Sequence, residues 1–135
     1  MHKLIRLILL NMSTVFHKIV SGEIPCYKIY EDDDFLAFLD INPKCDGHTL
    51  LIPKTPAKWV WDVEKYTEYF EVARKIVRHY QKVTGNDLVV MKVVGVDVPY
   101  AHIHILPYDE NYGRGRSTLT PEKAHQIMKK FSMIN

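Results

Sequence analysis

The sequence predicts an α+β domain: a five-stranded, mostly antiparallel sheet with one long helix and short flanking helices. Three observations carry this. Five short segments are rich in aromatic, leucine or β-branched residues and are bounded by turn formers. One longer segment repeats its apolar residues every three or four positions. Two further stretches carry helix start and stop signals.

The elements follow in chain order. "STVFHKIVSGEIP" offers Ser13 or Thr14 as an N-cap and Gly22 as a stop, which predicts a short helix over about 15–20. "CYKIYED" alternates and is aromatic or β-branched, as a strand should be. "DDDFLAFLD" opens with an acidic turn and continues as a mostly apolar strand, the hairpin partner of the first. "HTLLIPK" is a third strand, ended by Pro53. Tyr66, Tyr69, Phe70, Ala73, Ile76, Val77, Tyr80 and Val83 form one apolar stripe, and Gly85 stands at the C-cap of that long helix. Trp59 and Trp61 are expected to pack at its entry. "DLVVMKVVGV" and "YAHIHIL" supply two more strands, separated by a bend at Asp97 to Pro99. Thr120 caps a last helix that starts near Pro121.

A chain of 135 residues fits one domain and one real core. Residues 12–135 are read as that domain, and 1–11 as a tail or extra segment. Eighteen Lys and Arg against 16 Asp and Glu give a net charge of +2, too small to argue for nucleic acid or an anionic membrane. The N-terminal "MHKLIRLILLN" falls short of the ~20 apolar residues a spanning helix needs. It lacks a small-residue cleavage site, so it reads as a strand, a tail or an upstream start before Met12 rather than a targeting peptide. Cys26 and Cys45 form no CxxC pair and read as reduced thiols of a cytoplasmic protein.

Chemistry concentrates in "YAHIHILP". Residues two apart on a strand share a face and lie about 7 Å apart. Tyr100, His102 and His104 therefore share one face, while Ala101, Ile103 and Ile105 face the core. Three readings remain open on spacing alone. The imidazoles can decorate a half-exposed strand. They can ligate a metal, with His48 as the third ligand. Or a neutral imidazole can attack phosphorus while neighbouring donors stabilise the phosphoryl oxygens.

"AFLDINPKCDGHTLLIPK" together with "HIHILP" resembles the histidine-triad (HIT) family of nucleotide hydrolases and transferases. The matching residues are Phe38, Asp40, Ile41, Pro43, Gly47, His48, Leu50 to Ile52, Pro53 and Lys54, and "SGEIPCYKIYEDDDFLAFLD" resembles the family's opening hairpin. The resemblance covers about Val15 to Pro107. It implies a HIT-like fold and a two-fold homodimer. It also implies His102 as nucleophile on the α-phosphorus, His104 as donor to the phosphate or the leaving-group bridge, and His48 beside the same phosphate. Asp40 would hold the ribose hydroxyls. Phe16, Ile19, Phe38 and Ile41 would form the slot for the base, and Tyr100 would be a further nucleotide-binding residue.

The chain departs from the family in three places. Tyr100 replaces the first triad histidine, although the backbone carbonyl that orients the nucleophile survives any substitution. Thr14 and His17 stand where many relatives carry a zinc-binding CxxC, so no metal or other cofactor is expected. Val96 and Asp97 follow Gly95 where relatives carry phosphate-contacting polar residues. The resemblance implies hydrolysis of a nucleoside phosphoramidate or related nucleotidyl compound, probed first with a purine nucleotide, through a nucleotidyl-His102 intermediate. The alternative is a nucleotide-binding module weakened in catalysis by Tyr100.

Overall fold

The computed structural model describes residues 14–113 and 117–134. The segment 1–11 and the candidate cap Ser13 lie outside them. Helix α1 spans Val15–Ser21 and is capped by Thr14, whose hydroxyl accepts from the amides of Phe16 and His17. Strands β1 (Lys28–Glu31), β2 (Phe35–Leu39) and β3 (Thr49–Pro53) follow. A single 3-10 turn at Val60–Asp62 leads into α2 (Tyr66–Thr84). Then come β4 (Val89–Lys92), β5 (Ile103–Pro107) and α3 (Pro121–Phe131).

The strands form one sheet in the order β1-β2-β3-β5-β4, and every neighbouring pair is antiparallel. The β1–β2 turn is built by Asp32, whose Oδ1 accepts from the amides of Asp34 and Phe35 at 2.8 and 2.7 Å. Strand β2 is buried along its whole length because both faces of the sheet are covered. On one face Ala37, Leu39, Leu51, Ile103 and Ile105 pack against Tyr69, Ala73, Ile76 and Tyr80 of α2 and Ile127 and Phe131 of α3. On the other, Leu36, Phe38, Leu50, Ile52 and Tyr100 lie under Phe16 of α1. That second face carries the histidines.

The apolar stripe of α2 is centred on Tyr69, Val72, Ala73, Ile76 and Tyr80, with Tyr66 exposed at its N-terminal end. Strand β4 is shorter than "DLVVMKVVGV" suggests. As the last strand of the sheet it pairs only over Val89–Lys92, and Val93, Val94 and Val96 are exposed. Strand β5 likewise starts at Ile103, so Tyr100 and His102 sit on an extended lead-in. The tryptophans do not anchor α2, whose entry is held by buried Val60 and Val63. Trp59 and Trp61 stack on each other at 5.3 Å, and Trp61 is exposed. The Nε2 of His79 bonds the carbonyl of Phe131 and ties α2 to α3.

One glycine sets the position of the site. Gly47 has φ +88°, and a Cβ there would come within 2.9 Å of Pro107 and 3.0 Å of Phe131. Only glycine allows the chain to turn at that point and enter β3 through His48.

Candidate active site

Three elements deliver the imidazoles. His48 ends the β2–β3 connection, which is closed at its neck by the amide of Asp40 donating to the carbonyl of His48 at 2.9 Å. His104 lies on β5, paired with Leu50 on one side and Lys92 on the other. That register makes His48 and His104 diagonal neighbours on one face. His102 lies on the lead-in, where the amide of Ala101 donates to the carbonyl of Ala57 at 2.7 Å. His48 and His102 are buried, and His104 is half-buried.

Main-chain partners determine which ring nitrogens carry protons. The amide of Lys44 donates to His48 Nδ1 at 3.1 Å. An amide can only donate, so Nδ1 holds a lone pair and the proton of neutral His48 is on Nε2. That Nε2–H faces His104 Nδ1 at 2.9 Å. His104 Nδ1 is therefore the acceptor, and its own proton is on Nε2. His102 is set the opposite way. Its Nδ1 lies 2.7 Å from the carbonyl of Tyr100, which can only accept. The proton is on Nδ1, and Nε2 carries a free lone pair. Adjacent imidazoles thus present one nucleophilic nitrogen and one N–H donor.

Electrostatics keeps the pair His48–His104 neutral. Burial, reinforced by the charges of His104, Lys92 and Lys44, pushes His48 down to about 3. Burial, with His102 and Lys92, pushes His104 down to about 4. Asp40 is raised, chiefly by burial, although the Asn42 amide bonds its Oδ1 at 2.8 Å. Its Oδ2 lies 3.5 Å from His48 Nε2.

These groups border a cleft of about 460 Å³. Phe16, Ile19, Phe38, Asp40, Ile41, His48, His102 and His104 all line it. Phe16 meets the His102 ring edge-on at 5.1 Å. Ile41 is largely exposed at the rim rather than part of the core. Tyr100 is the one expected site residue that does not line the cleft. It shares the histidine face but is 1% exposed, and its hydroxyl donates to the carbonyl of Pro53 at 2.5 Å. Its carbonyl faces His102 Nδ1, and its ring meets Phe16 edge-on. The sequence reading missed Lys44, Lys92 and Asp97, which also line the cleft. Lys92 becomes visible only through its register opposite His104.

Asp40, His48 and His104 offer ligand atoms within 4.8 Å of one another. Ligation through His48 Nε2 is opposed by its main-chain partner. Ligation through His48 Nε2 would move its proton to Nδ1, which already faces the Lys44 N–H. The places of the CxxC fare no better. His17 Nδ1 accepts from the Thr14 amide at 2.9 Å and lies 2.9 Å from Thr14 Oγ1, so the two side chains satisfy each other. The His17 ring meets Tyr100 edge-on at 4.7 Å.

Residues 21–111 match the model of the HIT domain. The chain belongs to the HIT family. An adenosine 5′-monophosphoramidase of Schizosaccharomyces pombe is 35% identical over 112 residues, 77% of this chain and 81% of that protein. The HIT-like protein of Bartonella henselae, described as involved in cell-cycle regulation, superposes with a TM-score of 0.75 at 32% identity, over 87% of this chain and 92% of that one. A Zn-bound histidine-triad protein of Mycobacterium smegmatis superposes with a TM-score of 0.67 at 28% identity, over 89% and 94%. The five-stranded antiparallel sheet with three helices is the HIT fold. Among the described residues, no helix is long and apolar enough to cross a membrane.

The burial of Tyr100 generates a prediction. Tyr100→Phe keeps the ring and the carbonyl but leaves the Pro53 carbonyl without its donor. It should lower unfolding free energy by about 1–3 kcal/mol in urea titration. Nucleotide turnover by the folded variant should stay within a fewfold of the parent, and a far larger loss would show that the phenol acts in the chemistry.

Proposed function

We propose that this HIT protein hydrolyses a nucleoside phosphoramidate or closely related nucleotidyl compound through a nucleotidyl-His102 intermediate. One observation carries the reading: His102 and His104 are held in opposite tautomers, His102 by the Tyr100 carbonyl and His104, through His48, by the Lys44 amide. The base rests between Phe16, Ile19, Phe38 and Ile41, and a purine is the first nucleobase to test there. Asp40 accepts from the ribose hydroxyls. His102 Nε2 forms a bond to the α-phosphorus as the phosphorus–nitrogen bond breaks. The nitrogen leaves as the free amine, taking a proton from solvent while the Nε2–H of His104 hydrogen-bonds it. Water then attacks the phosphorus, the bond to His102 breaks, and the released nucleoside monophosphate returns one proton to solvent. His104, Lys44 and Lys92 offset the negative charge of the phosphoryl oxygens.

No step calls for a metal, and the tautomers oppose one. Tyr100 gives no support to the alternative of a binding module without turnover, because the orienting group is its carbonyl. Cys26 and Cys45 are not joined in a disulfide, which supports a reducing, cytoplasmic setting.

The test is a single-turnover reaction with an adenosine phosphoramidate in the presence of a chelator. The parent protein should gain the mass of one nucleotidyl group and release the amine in a burst. His102→Ala should abolish both while still binding AMP, and His104→Ala should lose about 100- to 1000-fold in rate. Persistent turnover by His102→Ala would falsify the mechanism.

We also propose a homodimer. Strand β4 is a sheet edge, and Leu88, Met91, Val93 and Val94 beside it are exposed. A strand edge bordered by apolar side chains is a surface that folded proteins ordinarily cover. Light scattering at micromolar concentration should give twice the chain mass, and a monomer mass would contradict the assembly.

A further inference from the structure

Next to His48 in the chain stands a buried polar side chain that the proposed mechanism leaves unused. Thr49 is 0% exposed. It points away from the cleft toward α2, where its Oγ1 lies 2.5 Å from the hydroxyl of Tyr80, also fully buried. The same Oγ1 donates to the carbonyl of Gly47 at 2.7 Å. That carbonyl can only accept, so it takes the one proton of the threonine hydroxyl. Tyr80 is then the donor to Thr49. Burial raises Tyr80 above the ordinary range of a phenol, so it keeps its proton for that role. The result is a chain with one direction, from Tyr80 through Thr49 to Gly47.

The chain ends on the peptide that joins Gly47 to His48. Both poles of that peptide are held. Its C=O accepts from Thr49, and its N–H, the amide of His48, donates to the carbonyl of Cys45 at 3.2 Å. The need for such a hold follows from Gly47. Glycine supplies the φ of +88° and the close approach to Pro107 and Phe131, but it restrains its own ψ very little. Without a partner for its carbonyl, the peptide plane is free to turn and to carry His48 with it. The ring of His48 tolerates little movement. It lies between the Lys44 amide at 3.1 Å and His104 Nδ1 at 2.9 Å, and both bonds must hold for His104 to present an Nε2–H. Tyr80 is itself set edge-on against Phe131 at 5.1 Å, the same ring that closes on Gly47.

Resting on the proposed His102 mechanism, we propose that Thr49 is a positioning residue for the reaction: its hydroxyl, oriented by Tyr80, locks the Gly47–His48 peptide and thereby the N–H that His104 offers the leaving amine. Thr49 faces α2 rather than the cleft, so it acts through His48 and His104 and not on the substrate.

Thr49→Val tests this, because it keeps the size and β-branching but removes the donor to Gly47. In the folded variant, kcat for an adenosine phosphoramidate should fall about 100-fold, the cost of a catalytic group displaced by about 1 Å. AMP affinity should stay near that of the parent. Nitrogen NMR of the histidine rings should show a proton on His104 Nδ1 in part of the molecules. Thr49→Ser, which keeps the hydroxyl, should recover the parent ring pattern and most of kcat. Tyr80→Phe leaves the Thr49–Gly47 bond in place and should lose less rate than Thr49→Val. If Thr49→Val does not fold, Thr49→Cys takes its place with the same expected direction, since a thiol is a weak donor. A role in stability alone would lower the melting temperature of the variant and leave ring pattern and kcat unchanged, which overturns the inference and leaves the hydrolase reading intact. A kcat that survives a changed ring pattern overturns it too, as does a fall in AMP affinity as large as the fall in kcat. A parent without turnover, whose ring pattern is lost in Thr49→Val and kept in Thr49→Ser, overturns the hydrolase reading and keeps the positioning role.

Discussion

Two main-chain groups, the carbonyl of Tyr100 and the amide of Lys44, decide what the imidazoles can do. A neutral histidine has one N–H and one lone pair, and its environment selects which nitrogen has which. Here a carbonyl fixes His102 with a free Nε2, and an amide fixes His104, through His48, with an Nε2–H. The contrast matters because identical tautomers would give two nucleophiles or two donors. Main-chain groups suit the task because they cannot titrate. A carboxylate orienter would add a negative charge beside a phosphoryl group that is already anionic.

The rest of the fold holds those two groups still. Gly47 lets the β2–β3 connection turn against Pro107 and Phe131, which places Lys44 and His48 in one tight loop. The lead-in to β5 is fixed by Ala101 on Ala57 and by the Tyr100 hydroxyl on Pro53, so the carbonyl between them has little freedom. Helix α1 closes the site from above through Phe16, and its first turn is satisfied internally by Thr14 and His17. Tyr100 is thus a packing residue whose carbonyl bonds His102 Nδ1. It fills the space under α1 and bonds the end of β3.

The sequence showed the sheet, the long helix and the start of α3 through ordinary signals: the acidic turn at Asp32, the stripe of α2 and the Thr120–Pro121 start. It also showed that Ala101, Ile103 and Ile105 oppose the histidines, because strand alternation survives even where the ladder has not begun. What stayed hidden depended on pairing. Lys92 reaches the site by register with His104. The length of β4 was hidden for a different reason: an apolar run looks the same whether it sits in the sheet or at its exposed edge. The fate of the Tyr100 phenol was also out of reach, since alternation gives its face but not that α1 covers it.

The central claim is the pair of opposite tautomers, and nitrogen NMR of the histidine rings tests it most directly. Long-range proton–nitrogen correlations distinguish a protonated ring nitrogen from a bare one. The account predicts Nδ1–H with bare Nε2 at His102, and Nε2–H with bare Nδ1 at His48 and His104. The pattern at His48 and His104 should persist from about pH 8 to about pH 5, because burial holds both rings in the neutral form. A protonated Nδ1 at His104, or a bare Nδ1 at His102, would contradict it.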